Sequence, residues 1–179
     1  MDASTDRYTA TAMALHWLIA VLIVVLVGIG WYMGDLPRAS AGKRFFEALH
    51  ESLGLLVALV VAVRLAWRAG HSPPPLLQAM PQRERHAAAL LHGLLYACMV
   101  LMPLTGYLSA NFDRGPLLFF GLELPRWSAP DRALSRLFED IHTASSNVLV
   151  AIIALHVAAA LKHWFVDRDG VFQRMLPHR

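Results

Sequence analysis

The run Ile141-His142-Thr143-Ala144-Ser145-Ser146-Asn147 decides the fold, together with Val148 to Leu155 and then His156-Val157-Ala158-Ala159-Ala160-Leu161-Lys162-His163-Trp164. It predicts one bilayer-crossing helix over about residues 141–166. His142 and His156 are fourteen residues apart, and His156 and His163 are seven apart. At 100° and 1.5 Å per residue, fourteen steps return a side chain to within ~40° of its start and carry it ~21 Å along the axis. One helix face therefore offers an imidazole near each membrane surface. A polar ring in hydrocarbon is costly without a partner, so other parts of the chain must supply partners.

Three further apolar runs, at about 10–33, 50–67 and 87–110, also approach the ~20 residues that a spanning helix needs. Of the 179 residues, 56% are hydrophobic and 16% charged, against roughly 25% charged in soluble domains. The reading is an all-α, integral membrane four-helix bundle forming a single domain over residues 1–179. Ala39-Ser40-Ala41 has the look of a signal cleavage site. The run before it exceeds the roughly 7–15 apolar residues of a secretory signal, so the first helix is expected to be retained. About 131–139 is expected to be a surface helix leading into the fourth span, and Pro103 is a place for a kink.

Cys98 is the single cysteine, and no CxxCH motif is present, which excludes an internal disulfide and c-type haem attachment. Cys98 reads as a small buried hydrophobe. No GxSxG, HExxH or phosphate loop occurs. The net charge of +3 has no basic run with interleaved aromatics, so no nucleic-acid partner is expected.

Four spans place both termini on one side, here side A. Nine of the 16 Lys and Arg fall there: Arg7, Arg64, Arg68, Arg83, Arg85, Lys162, Arg168, Arg174 and Arg179. Five acids accompany them, among them Asp2 and Asp6. Side B has Arg38, Lys43, Arg44, Arg114, Arg126, Arg132 and Arg136 with eight acids. The excess on A makes it the cytoplasmic side.

Depth then sorts the histidines. His50 and His142 fall on side B, and His16 and His156 towards side A. Neutral imidazole is a common axial donor to haem iron, and two imidazoles on facing helices can hold a macrocycle between them. Two such pairs at two depths would make an electron path across the membrane. Spacing alone leaves haem ligation and ordinary hydrogen-bonded membrane histidines equally open. His92, in the third span, fits a propionate donor or simple packing. His71, His86 and His178 fall in loops or the tail and read as solvated.

Further motifs add to these positions. They are Ala14-Leu15-His16-Trp17, Leu49-His50-Glu51-Ser52-Leu53-Gly54, Val61-Ala62-Val63-Arg64-Leu65, the Pro-Pro linker, Asp140-Ile141-His142, Ala154-Leu155-His156-Val157-Ala158-Ala159-Ala160-Leu161 and Arg174-Met175-Leu176-Pro177. In this order and spacing the chain resembles the bacterial cytochrome b-561 family of four-helix, di-haem b membrane proteins. The resemblance implies two non-covalent haem b groups on His16, His50, His142 and His156. It also implies a multi-pass bacterial inner-membrane protein, exchanging electrons with the quinone pool in the lipid bilayer. Some family members resemble a superoxide oxidase that passes electrons to ubiquinone, a quinone-linked oxidoreductase. In that type a histidine at the position of His163, here beside Lys162, lies at the quinone site. Superoxide is an anion, so Lys43 and Arg44, just before His50, become candidates for steering it, provided the acids of side B turn aside. A second reading stays open: a membrane anchor and electron conduit for a soluble or membrane redox partner, like the cytochrome b subunits of hydrogenases and formate dehydrogenases.

Overall fold

The computed structural model describes residues 7–38, 40–75 and 80–176. The expectations about Asp2, Asp6, Ala39, Pro177, His178 and Arg179 lie outside the described residues. Helix α1 is Ala10–Gly34, α2 Ala41–Gly70, α3 Gln82–Phe112 and α4 Arg132–Lys162, each long and apolar enough to cross a membrane. Thr9 caps α1, its hydroxyl accepting the Ala12 N–H at 3.2 Å. The bundle runs in sequence, α1 against α2, α2 against α3 and α3 against α4.

Three helices begin before their apolar runs. α2 begins at Ala41 rather than near His50, because Ser40 caps it by accepting the Lys43 N–H. Its first turns carry Lys43, Arg44 and Glu47, whose charges read as a loop in the sequence. α4 begins at Arg132, where Asp131 accepts the N–H groups of Ala133 and Leu134. The expected surface helix at 131–139 is thus the first turns of α4 and no separate element. α3 runs unbroken through Pro103 and also takes in His86, which the sequence placed in a loop.

Buried apolar side chains of the spanning helices gather in two small seams. Ile19, Val57 and Val61 join α1 to α2, and Cys98, Leu149 and Ile152 join α3 to α4. Most other large apolar side chains face outward, as with Val24 at 68% and Leu155 at 62% exposed. In lipid that exposure costs nothing, because acyl chains are as apolar as leucine.

The third loop holds a hairpin that the sequence reading missed: β1 Leu118–Phe119 pairs antiparallel with β2 Leu122–Glu123. Phe120 (φ 47°) and Gly121 (φ 87°) are both left-handed, the type I′ turn that matches strand twist. Ser52, in the turn of α2 after His50, holds the hairpin by accepting the Phe120 N–H at 2.9 Å and donating to the Ala48 carbonyl at 2.7 Å. The hairpin thereby covers α2 beside His50.

At the opposite end the termini are tied together. Arg7 donates to the carbonyls of Gln173 and Leu176, Trp17 Nε1 to that of Met175, and Arg64 to that of Ala12. Arg174 donates to the Pro75 carbonyl at 2.7 Å, which joins the tail motif to the proline linker.

Candidate haem and quinone sites

Three helices, α1, α2 and α4, contribute to two histidine pairs. His50 of α2 faces His142 of α4, with ring centres 6.1 Å apart. His16 of α1 faces His156 of α4 at 6.3 Å. A metal atom bonded to one nitrogen of each ring at about 2.0 Å, each nitrogen lying roughly 1.1 Å from its ring centre, sets ring centres about 6.2 Å apart. The ring-centre separations of both pairs match that spacing. His92 of α3 also touches His156, but at 5.4 Å that pair is too close for the same bridge. His92 Nδ1 donates to the Ala88 carbonyl at 2.7 Å, the ring lying beside the pair and not in it.

The helices also shape space for the side B pair, His50 with His142, here termed the outer pair. A Cβ on Gly106 would come within 3.2 Å of His142 Cε1 and Nδ1, and one on Gly30 within 3.6 Å of His50 Cε1. His142 Nδ1 donates to the Met102 carbonyl at 3.0 Å, with Thr105 Oγ1 at 3.3 Å. That bond fixes the tautomer and leaves Nε2 for a metal, the usual support for a ligating imidazole. His50 lies towards the Leu26 carbonyl, and its buried Nδ1 lacks a well-aligned hydrogen bond. Gly30, Thr105 and Gly106 were not singled out in the sequence, where nothing sets them apart from ordinary small residues of membrane helices.

Lys43 lies seven residues before His50 on the same helix, a separation that returns it to within ~20° of the same face. It is not alone there, since Glu47 Oε1 is 3.9 Å from its ammonium. Glu51, next to His50, has Glu47, Asp113 and Arg126 as its charged neighbours. Acids therefore sit close to Lys43 and Glu51 at this end of α2. The reason is local: α2 is already helical at Lys43, and helical spacing brings Glu47 back beneath it. Arg44 is on the same first turns.

At the side A end, α4 passes into a single π-helical stretch, His163–Asp167, a form frequent at functional sites. Arg168 (φ 51°) and Gly170 (φ 85°) then reverse the chain. His163 Nδ1 comes to 2.7 Å from Asp169 Oδ2 and 3.2 Å from Asp167 Oδ2. Lys162 Nζ is 2.6 Å from Asp167 and 3.1 Å from Glu84 of α3. The sequence reading paired His163 with Lys162; the structure adds Asp167 at i,i+4 from His163, Glu84 from α3, and Asp169, which lies beyond the π-turn and has no helical periodicity to signal it.

Residues 7–178 match the family described as prokaryotic cytochrome b561. The chain belongs to that family. Among its relatives, cytochrome b561 homolog 1 of Escherichia coli (strain K12) is 25% identical over 97% of this chain and 99% of its own length. Cytochrome b561 homolog 2 of the same strain is 29% identical over 96% and 92% respectively. The probable superoxide oxidase CybB of Yersinia pestis is 22% identical over 97% of both chains. This cytochrome b561 family member is thus a multi-pass membrane protein of the b-type cytochromes, binding haem and working in electron transfer. The two histidine pairs offer imidazole donors that would suit such a group.

Proposed function

We propose that this cytochrome holds two b haems, one on His50 and His142 and one on His16 and His156, and carries electrons from superoxide at side B to ubiquinone at side A. The observation that carries the reading is the pair of ring separations, 6.1 and 6.3 Å, at the two ends of α4. Bound haem supplies one-electron redox chemistry. The chain supplies the ligands, the Met102 carbonyl that orients His142, and the apolar walls that keep water away. Two sites at two depths divide one long transfer into shorter ones. Side A, with the termini, is cytoplasmic on the basic-residue excess, in the inner membrane of a bacterium. The name of the Yersinia relative supports superoxide as donor.

Quinone fits beside His163, with Trp164 and Phe165 adjacent and half exposed for access from lipid. Lys162 is engaged with Glu84 and Asp167, so its part is to hold that cluster in place.

The test uses superoxide generated outside sealed, right-side-out vesicles. Haem reduction should be fast and should slow as salt rises, since exposed charges are screened within ~8 Å at physiological ionic strength. Lys43→Glu with Arg44→Glu should slow it a few-fold, near the lower end of the ~10–10³-fold range of electrostatic steering, because Glu47 already offsets Lys43. In inverted vesicles the same external superoxide should be ineffective. Slow, salt-independent reduction would make the donor something else, and reduction only in inverted vesicles would reverse the sides.

A further inference from the structure

The quinone end carries more than one hydrogen-bond donor. The groups facing His163 are Glu84 from α3, Lys162 from the end of α4, Asp167 from the π-turn and Asp169 from the reversal after it. A helix-end histidine that only anchors the protein at the interface needs no carboxylate on its ring. Here the chain spends a π-turn and two left-handed residues, and the result is Asp169 Oδ2 at 2.7 Å from His163 Nδ1. Asp169 is itself held: its Oδ1 accepts the Val171 N–H at 3.1 Å. Burial works against its charge, but Val171 and His163 outweigh that and keep the carboxyl below its ordinary value.

Resting on the quinone reading above, we infer that Asp169 is a positioning residue that makes His163 Nε2 the proton donor to the quinone carbonyl. A carboxylate on Nδ1 keeps that nitrogen protonated, so the proton that can leave is the one on Nε2. When both nitrogens carry protons, the ring cation has Asp169 and Asp167 beside it, at a membrane edge where charge is poorly solvated. Lys162 holds Asp167 in place and ties the cluster to α3 through Glu84. The balance closes as follows. One quinone becomes one quinol by taking up two electrons and two protons. The electrons come from two superoxide anions, each of which leaves as dioxygen. One proton passes from His163 Nε2 to the carbonyl oxygen that faces it, Nε2 recovers its proton from side A water, and the other carbonyl oxygen takes its proton from side A water.

The experiment compares Asp169→Asn, Asp169→Glu and His163→Ala in the full-length, haem-loaded protein, with a short-chain ubiquinone as oxidant. Asp169→Asn should keep haem content and spectrum. It should lower the maximal rate of haem reoxidation on the order of 10-fold or more, a part of the roughly 10²–10⁴-fold that positioned proton transfer contributes. KM for quinone should change little, while the dependence of the rate on pH should depart from that of the wild type. Asp169→Glu should restore most of the rate. A wild-type rate and pH profile in Asp169→Asn would overturn the inference, as would a slower rate with an unmoved profile and no rescue by Glu. Should Asp169→Asn fail to load haem, Asp169→Ser carries the same comparison. His163→Ala separates the two claims. If it slows reoxidation while Asp169→Asn does not, only the inference fails; if it changes nothing, the quinone reading fails with it.

Discussion

His142→Ala is expected to take the protein from two haems per chain to one. The His142 imidazole faces His50 at 6.1 Å and is held there by the Met102 carbonyl and Thr105. Alanine removes one of two axial ligands and leaves the other, His50, without a counterpart. The inner pair lies ~21 Å away along α4 and shares no hydrogen bond with the outer one, so its haem should stay. The bundle itself should persist, because His142 is not one of the buried residues of the seams around Ile19 with Val57 and Cys98 with Leu149. A reduced-minus-oxidised spectrum with haem quantitation per chain reads the outcome. His16→Ala should give the converse, losing the inner component and keeping the outer. Loss of both haems from either variant with helicity intact, or loss of neither, would contradict the pairing.

The second large effect is expected at Gly106, a residue that touches no haem iron in this reading. A methyl there would meet His142 Cε1 and Nδ1 at 3.2 Å, closer than ordinary van der Waals contact. The ring has little freedom to yield, because its hydrogen-bond acceptor, the Met102 carbonyl, belongs to the same helix one turn earlier. Gly106→Val should therefore tilt the imidazole and weaken the outer haem by about 10- to 100-fold in affinity, the usual scale for disturbing the support of a metal ligand. Titrating haem into the apoprotein, following the outer component, measures this. Gly28→Val serves as the control, since a Cβ there meets nothing within 4 Å. Equal effects at the two glycines would show that the loss is one of general helix packing.

The helices and their four histidines were legible in the sequence because both rest on simple periods. A spanning helix needs about 20 apolar residues, and fourteen residues return a side chain to nearly the same face. The misreadings have equally definite causes. Lys43, Arg44 and Glu47 look like a loop by polarity, but Ser40 caps a helix that continues above the membrane-crossing part of α2. Asp131 to Glu139 read as a separate surface helix because its charges contrast with the run after it, although no residue breaks the helix from Arg132 onward. The Leu118–Glu123 hairpin is too short for alternation to show, and its left-handed Phe120 is an unusual choice for such a turn. Gly30 and Gly106 matter only through the rings they face. Asp169 reaches His163 through a π-turn and a left-handed reversal, and neither has a periodic signature.

Everything in the electron-transfer proposal depends on two haems being held at the two depths of α4. Haem quantitation against protein concentration in the purified, folded wild-type chain tests this most directly, read with the absorption of the oxidised and reduced forms. The prediction is two non-covalent b haems per chain, both with the low-spin spectrum of iron held by two imidazoles. A folded protein that saturates at one haem per chain, or with a haem lacking a second imidazole, would contradict it.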